Sequence, residues 1–310
     1  MSDSDALASL REQIDAADAD LVGLLGRRFE LTRRVGWLKA GSGLASLDAH
    51  RERSQNARLN DLAEAAGVEP TLVRRVFDDV RTQTRHEHDL ARTHTIAQMQ
   101  DAERQAGSEF GVSLTELMDR AGKALASAAV RMGAGGTVLV ACGMGNNGGD
   151  GYVCATELLR RGVGVTVCAV GRDTLMPDTL AGDAAAAYEA AGGRVVAASF
   201  DLDPDGVETD LIVDALFGSG LSRPVEGLYA HLISLINHCG VPVLAADIPS
   251  GVNGDTGEVM GVAVRATRTV MMGLAKPACV TPPGSGYFGD REVADILPAG
   301  LVQLVSGASV

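Results

Sequence analysis

The second half of the chain carries three glycine-containing motifs, each directly after an apolar run. The motif GMGNNGGDG at 143–151 follows the β-branched run at 137–142. Asp214 and Asp247 stand at the ends of two later apolar runs, and a glycine-containing loop follows each of them. In open α/β sheets, ligands bind beyond the carboxyl ends of the strands. The three motifs therefore predict one binding site at that edge of a sheet.

The residue types in these motifs suit a phosphorylated ligand and a hard cation. Backbone amides at a helix N-terminus can hold phosphate, and the side-chain amides of Asn146 and Asn147 add oxygen donors for a cation. The glycines within 143–151 also fit the G-x-G-x-x-G spacing of dinucleotide-binding dehydrogenases. Those enzymes need an acidic residue about 20 residues further on, and Asp173 lies too far along the chain. The sequence therefore argues against hydride transfer.

The first 95 residues offer a different chemistry, because charged residues recur there at helical spacing. Arg28 and Lys39 are 11 positions apart, which puts them about 20° apart around a helix axis and so on one basic edge. Lys39 is one of only three lysines in the chain. Further polar residues share faces at spacings of three and four: Asp48, Arg51 and Glu52 on one predicted helix, and Thr84 and His88 on another. The spacing fits a helical bundle around a basic pocket, and it equally fits solvated ion pairs.

The elements around these residues fall into two groups. Residues 5–39 have apolar side chains at helical spacing, and further helices are expected at about 48–66 and from Pro70 to about 91. From about residue 95 helices alternate with apolar runs, which predict six strands: 137–142, 164–169, 194–198, 210–216, 242–247 and 268–273. We therefore predict a multidomain chain, with an all-α domain at 1–94 and a Rossmann-like, doubly wound α/β domain at 95–310.

Composition limits the partners and the location of the protein. The net charge of −13 disfavours nucleic acid and anionic membranes as partners. No run approaches the roughly 18 apolar residues of a membrane span, and the acidic, polar start of the chain is unlike a secretory signal. We therefore expect a cytoplasmic protein. The five cysteines are odd in number and widely spaced, which favours reduced thiols over disulfides or a zinc site.

Three motifs in the first half resemble the AroQ-type chorismate mutases. They are SLREQID at 9–15, VGWLK at 35–39 and DAHRE at 48–52, and the resemblance covers about residues 5–92. In that family an intertwined helical homodimer rearranges chorismate to prephenate, and the length of the first predicted helix also calls for a partner chain. The resemblance assigns substrate contacts to seven residues: Arg11 from the partner, Arg28 and Arg51 at the carboxylates, Lys39 at a carboxylate and the ether oxygen, Asp48 and Glu52 at the hydroxyl side, and Thr84.

His88 departs from that family, which usually has Gln or Glu at this position as a second donor to the ether oxygen. The rearrangement is pericyclic, so catalysis depends on holding a compact conformer and on stabilising charge at the ether oxygen. Lys39 and His88 are the catalytic candidates for that step. A histidine donates through a ring N–H but titrates near neutral pH, so a mutase activity that is weakened, pH-dependent or redirected stays open.

Five features of the second half resemble the YjeF N-terminal domain, the NAD(P)H-hydrate epimerases. They are LMDRAG at 117–122, GNNGGDG at 145–151, DALFGSGL at 214–221, DIPSG at 247–251 and Lys276. The resemblance covers about residues 96–297. That family interconverts the R and S forms of hydrated NADH and NADPH, called NADHX and NADPHX, and binds potassium. The resemblance implies a chain that epimerises these compounds without regenerating NAD(P)H.

The same resemblance assigns a role to each polar motif residue. Potassium would be ligated by oxygen atoms of Asn147, Asp214 and Ser250. The nucleotide would be held by eleven residues: Asn146, Asn147, Gly148, Gly149, Asp150, Gly218, Ser219, Gly220, Leu221, Arg223 and Asp247. Asp247 would also be the acid or base at the nicotinamide end, and Lys276 would assist it or bind phosphate.

The two resemblances leave three functions open. The first is a bifunctional isomerase that acts on chorismate and on NADHX or NADPHX. The second is that one domain is a non-catalytic dimerisation or sensing module, and the departure at His88 points to the helical one. The third is that the epimerase-like pocket acts on a chorismate-derived metabolite of a specialised pathway. We expect the first: a homodimer with small-molecule substrates, with potassium as the cofactor of the second domain and no cofactor for the first.

Overall fold

The computed structural model describes six segments of the chain: 3–42, 49–90, 93–133, 135–171, 178–202 and 208–305. These residues form two compact units, one within residues 1–92 and the other within residues 93–309. Across the described segments, no helix is long and apolar enough to cross a bilayer.

The first unit consists of three helices, α1 at Asp3–Ser42, α2 at Ala49–Ala65 and α3 at Pro70–Leu90. α2 ends before Gly67, whose φ of 66° is left-handed and rarely adopted by other residues. Pro70 starts α3 because the first position of a helix needs no backbone donor. α1 runs past the predicted end at residue 39, because one glycine costs a helix only about 1 kcal/mol.

α1 leaves a stripe of apolar side chains exposed. The described apolar side chains that are buried in this unit belong to α2 and α3: Leu59, Ala63 and Val80. By contrast, eight apolar side chains of α1 are at least 42% exposed: Leu7, Leu10, Ile14, Leu21, Val22, Leu24, Leu31 and Val35. An apolar stripe of this length on a helix favours burial against another surface.

The second unit is built on a seven-stranded sheet in which all neighbouring strands are parallel. The strands in chain order are β1 Thr137–Cys142, β2 Gly164–Ala169, β3 Arg194–Ala197, β4 Leu211–Ala215, β5 Val243–Ala246, β6 Arg268–Met272 and β7 Asp290–Ala294. Their order in the sheet is β3-β2-β1-β4-β5-β6-β7. The chain order reverses between β1 and β4, which is the place where doubly wound sheets bind ligands.

Helices cover both faces of the sheet. They are α4 Ile96–Phe110, α5 Leu114–Arg131, α6 Asn146–Arg160, α7 Leu180–Ala190, α8 Gly227–His238 and α9 Ala299–Val305, with short 3₁₀ helices at Pro277–Cys279 and Gly284–Tyr287. One apolar cluster packs α4 to α7 and α9 on the sheet, and a second packs α8. Alternate residues of β1 divide between the two clusters, so the clusters lie on opposite faces. The predicted doubly wound α/β class is confirmed.

Among the elements that were not predicted from the sequence, α7 and β7 both lack the usual pattern. α7 has the sequence LAGDAAAAYEA, whose alanines give little contrast between an apolar and a polar face. β7 has the sequence DREVA and lies at the edge of the sheet, where its side chains are mostly exposed or half-buried. An edge strand of this kind needs no apolar run, which is the pattern that predicted the other strands.

Candidate functional site

The N-terminus of α6 lies directly after β1 and presents backbone donors. The N–H of Gly143 donates to the carbonyl of Ala215 at 3.0 Å, which ties the loop after β1 to the end of β4. α6 begins at Asn146, so most of the motif at 143–151 lies in the first turns of the helix. Its N-cap is Gly145, which has no side chain to bond the first-turn N–H groups. Those donors therefore suit an anionic ligand such as phosphate.

Asp214 near the end of β4 and Ser250 in the loop after β5 form a fully buried pair. Ser250 donates its backbone N–H to Asp214 Oδ2 at 2.8 Å and its hydroxyl to Oδ1 at 2.6 Å. The N–H of Phe217 donates to the same hydroxyl oxygen at 2.8 Å. Burial raises the pKa of the Asp214 carboxyl to about 6, although these hydrogen bonds oppose the shift. The pair thus keeps a desolvated carboxyl group in a fixed position.

The side-chain amide of Asn147 is an unsatisfied polar group near this pair. Its oxygen and nitrogen are both buried, and neither has a hydrogen-bond partner among the described residues. The amide lies against Gly218, where an added Cβ would be 3.1 Å from Asn147 Oδ1. Phe217 and Ser250 connect that glycine to Asp214. An amide oxygen, a hydroxyl and a carboxylate therefore lie in one small region, and this donor set suits a hard cation.

Asp247, directly after β5, and Lys276, shortly after β6, form a buried ion pair. Lys276 Nζ donates to Asp247 Oδ1 and also to the carbonyl of Met272 at 2.7 Å. The N–H of Met272 donates to the same Asp247 oxygen at 3.1 Å. Asp247 has a φ of 66°, which is unusual for a residue with a Cβ. Backbone in such a conformation clusters at functional sites, because the surrounding structure must hold it there.

Two further carboxyl groups lie in the electrostatic field of this ion pair. Burial raises the pKa of Glu103, and Asp247 raises it further while Lys276 opposes the shift. Burial also raises the pKa of Asp150 well above its usual range, and Asp247 and Glu103 add to that effect. Three carboxyl groups around one lysine cannot all ionise without repulsion. The cluster therefore holds a proton more readily than isolated carboxyl groups do.

Polar groups from the loops after β1, β4 and β5 line one cavity of about 930 Å³ at the carboxyl edge of the sheet. Ten of the residues proposed from the sequence line it: Asn146, Asn147, Asp150, Gly218, Ser219, Gly220, Leu221, Arg223, Asp247 and Lys276. Four others are buried next to it: Gly148 and Gly149 within α6, and Asp214 and Ser250 beneath the loops. The volume suits a ligand of nucleotide size.

Phe217, Tyr229 and Glu103 are three of the cavity residues that were not predicted from the sequence. The rings of Phe217 and Tyr229 pack with their centroids 4.4 Å apart and form part of the wall. Glu103 reaches the cavity from α4. Phe217 lies within the DALFGSGL motif and could have been recognised as an aromatic next to a ligand loop. Tyr229 and Glu103 lie outside the motifs, and the packing of α8 and α4 brings them to the cavity.

The helical unit holds the residues assigned to a second site. Arg11 is exposed on α1. Arg28 is half-buried further along α1, and its guanidinium carbon lies 5.8 Å from the ring centroid of Phe77 on α3. Asp48 lies outside the described residues. The helices include five more of the assigned residues, whose side chains also lie outside the described part: Lys39 on α1, Arg51 and Glu52 on α2, and Thr84 and His88 on α3.

The fold and the cavity define a class of protein. A parallel sheet whose order reverses at β1 and β4, with a glycine-rich helix N-terminus at that point, is a doubly wound ligand-binding domain. Residues 114–278, more than half of the chain, match the family described as YjeF-related protein N-terminus. Residues 10–89 match the family described as chorismate mutase type II. The chain belongs to the YjeF-related family, and its residues 10–89 form a chorismate mutase type II domain.

Individual relatives match the α/β unit. The NAD(P)H-hydrate epimerase of Limosilactobacillus fermentum is 38% identical over 203 residues, which cover 65% of this chain and 95% of that protein. The bifunctional NAD(P)H-hydrate repair enzyme Nnr of Thermofilum pendens is 41% identical over 213 residues, which cover 65% of this chain but only 39% of that protein. The chain thus spans less than half of the bifunctional repair enzyme.

A solved structure shares the fold of this unit. The crystal structure of yeast YNL200c has a TM-score of 0.59 and 22% sequence identity to this chain. The match covers 69% of this chain and 93% of the yeast chain. At this identity the likeness establishes the architecture of the α/β unit.

Proposed function

We propose that the α/β unit interconverts the R and S forms of hydrated NADH and NADPH. The observation that carries this proposal is the buried Asp247–Lys276 pair in the wall of a nucleotide-sized cavity, which also contains the N-terminus of α6. The names of the relatives favour the same reaction, since several are NAD(P)H-hydrate epimerases. The helix N-terminus would hold the phosphates, with Arg223 as an exposed cation of the cavity lining.

Asp247 is the group proposed to act on the hydrated nicotinamide ring. A change of configuration at the carbon that bears the hydroxyl group needs positioned proton donors and acceptors. Lys276 fixes the Asp247 carboxylate through Oδ1 and balances its charge. Burial raises the pKa values of Glu103 and Asp150, which favours the protonated form of both relative to an exposed carboxyl group. The cluster therefore places a carboxyl group paired with a lysine beside two carboxyl groups whose pKa values are raised.

Consumption of the R hydrate tests the epimerase proposal. The protein is mixed with R-NADHX and a separate dehydratase that accepts only the S form, and loss of the R form is followed. We expect loss well above the spontaneous rate, and a reduction of at least about 100-fold in Asp247→Asn. Asp201→Asn removes an exposed carboxylate of the same unit and serves as the matched control. Loss at the spontaneous rate with the unaltered protein would reject the proposal.

Potassium is the cofactor we propose for this unit, held by oxygen atoms of Asn147, Asp214 and Ser250. The unpartnered, buried amide of Asn147 beside a desolvated carboxyl group supports this donor set. The ion would supply positive charge next to the phosphates. We expect potassium chloride to raise the melting temperature more than sodium or choline chloride does, and Asn147→Ala to remove the difference. An equal response to all three salts would argue against the site.

We further propose that the helical unit rearranges chorismate to prephenate. The match of residues 10–89 to chorismate mutase type II supports this function, and so does the partly buried Arg28, because guanidinium groups bind carboxylates in two-point contacts. The remaining contacts would come from Lys39, Asp48, Arg51, Glu52, Thr84 and His88, and from Arg11 of a second chain. Loss of the chorismate absorbance after addition of the protein is the test. No loss at high enzyme concentration would contradict it.

A homodimer is the assembly proposed for the helical unit. The exposed apolar stripe of α1 supports it, since a second copy of the same helix would cover this surface. We expect sedimentation to give the mass of two chains, and the double change Leu10→Asp with Leu21→Asp to give one chain. Sedimentation of the unaltered protein as a single chain at micromolar concentration would contradict the dimer.

A further inference from the structure

Arg81 on α3 is a buried cation that the sequence analysis did not single out. The residue is only 7% exposed. Its Nη2 donates to Asp78 Oδ1 at 2.5 Å, one turn earlier on the same helix. Its Nη1 is buried and has no hydrogen-bond partner among the described residues. Buried donors are nearly always paired in folded proteins, so this nitrogen needs an explanation.

A second guanidinium lies close to Arg81. Arg28 reaches from α1 over the ring of Phe77, and Phe77 precedes Arg81 by four residues, so both lie on one face of α3. Burial lowers the pKa of Arg28, and the charge of Arg81 lowers it further. Two cations therefore share a partly desolvated region next to an aromatic ring, where each raises the cost of the other.

The ion pair with Asp78 satisfies Arg81 only in part. The side chain of Asp78 is 66% exposed, so water screens its charge. It also engages only one nitrogen of Arg81 and leaves Nη1 without a hydrogen-bond partner among the described residues. An additional anion placed between Arg28 and Arg81 would pair the free nitrogen and offset the repulsion between the guanidinium groups.

We propose that Arg28 and Arg81 together form a subsite for one carboxylate group of the ligand of the helical unit. A carboxylate has two oxygens with four acceptor positions, and two guanidinium forks from different helices can engage both oxygens. The identification of that ligand as chorismate or prephenate rests on the proposed mutase function. The proposal adds to the family-derived set, which places Arg28 at a carboxylate but assigns nothing to Arg81.

Substitutions of Arg81 in the full-length protein test the subsite. We expect Arg81→Met to raise KM for chorismate by about 10- to 100-fold, the loss typical of a charge-assisted hydrogen bond, with a smaller change in kcat. Arg81→Lys should recover part of this loss, because it restores the charge without the fork. Arg75→Met removes an exposed arginine of the same helix and should leave KM unchanged.

Asp78→Asn separates ligand binding from a structural ion pair. If Arg81 serves the ligand, this change leaves KM for chorismate at or below the unaltered value. If Arg81 only stabilises α3 through its ion pair with Asp78, Asp78→Asn and Arg81→Met raise KM for chorismate to the same extent, and the proposal is wrong. An unchanged KM in Arg81→Met would also overturn it.

Thermal unfolding with prephenate gives a readout that does not depend on turnover. We expect prephenate to raise the melting temperature of the unaltered protein and of Arg75→Met, and to have little effect on Arg81→Met. Without ligand, Arg81→Met should melt no lower than the unaltered protein, since an apolar side chain replaces a buried guanidinium with one unpartnered nitrogen. If chorismate is not consumed but prephenate still protects in an Arg81-dependent way, the mutase function fails and the subsite stands. Equal protection of Arg81→Met would reject the subsite.

Discussion

At the scale of single residues, Lys276 balances the carboxyl groups of the α/β cavity. It is 1% exposed and donates to both Asp247 and the carbonyl of Met272. The sequence indicated Lys276 through the resemblance to the YjeF N-terminal domain, and it is one of only three lysines in the chain. The partner atoms could not be predicted, since they depend on how β5 and β6 pair and on the unusual backbone conformation of Asp247.

Removal of Lys276 should destabilise the fold. In Lys276→Met the carboxylate of Asp247 stays buried without its cation, so we expect the free energy of unfolding to fall by about 3–5 kcal/mol. Lys123→Met is the matched control, because Lys123 is half-exposed and pairs with Asp119 on the surface of α5. That change should cost less than about 1 kcal/mol. Denaturant unfolding measures both values, and equal losses would contradict the role of the buried pair.

Glu103 should make stability depend on pH in a defined direction. Its pKa is raised in the folded protein, so its ionised form destabilises the fold at pH values above that raised pKa. As the pH falls through the raised pKa towards the usual range of glutamate, Glu103 binds a proton and the penalty disappears. We therefore expect Glu103→Gln to melt higher than the unaltered protein at pH 8, and the gain to vanish near pH 4.

Glu109→Gln provides the comparison for that experiment. Glu109 lies on the same helix as Glu103 and is exposed. We expect its substitution to leave the melting temperature unchanged at every pH. A gain in Glu103→Gln that is constant over the whole pH range would show that packing, and not charge, explains the effect.

At the scale of elements, the turn between β1 and α6 depends on close backbone contacts. An added Cβ at Gly148 would lie 2.0 Å from the carbonyl oxygen of Gly143, whereas one at Gly145 would meet nothing within 4 Å. Gly145 also has a φ of −95°, which any residue can adopt. A side chain at Gly148 would therefore clash with the backbone, whereas one at Gly145 would not. The sequence alone does not distinguish these two glycines.

Alanine substitutions at these two glycines should differ. We expect Gly148→Ala to lower the free energy of unfolding by about 1–3 kcal/mol, since the backbone of the loop must move. Gly145→Ala should change it by less than about 0.5 kcal/mol. Chemical denaturation of the two variants is the measurement. Similar losses in both would indicate that the tight approach around Gly148 can relax without cost.

The sequence predicted the elements of the α/β unit where strands are apolar and motifs are glycine-rich. β1, β2, β4, β5 and β6 are buried runs, and each was located within about two residues. α7 and β7 were not predicted, because neither has a clear pattern of apolar and polar residues. The same limit applies to Glu103 and Arg81, whose importance comes from burial next to other charges, and no spacing along the chain reveals that.

At the scale of the whole molecule, the two units carry different kinds of chemistry. The helical unit offers fixed cations for a reaction that needs no proton transfer, and the α/β unit offers a carboxyl–lysine cluster that suits proton transfer. Each unit contains its own candidate residues among those described. We therefore predict that a change in one site leaves the reaction of the other intact.

The most direct measurement assays both reactions on the same preparations of the full-length protein, Arg28→Ala and Asp247→Asn. We expect the unaltered protein to consume chorismate and to epimerise R-NADHX. Arg28→Ala should lose at least about 100-fold in kcat/KM for chorismate and keep its epimerase rate, and Asp247→Asn should show the reverse pattern. If either change lowers both rates equally, or if the unaltered protein accelerates neither reaction, two separate active sites do not exist in this chain.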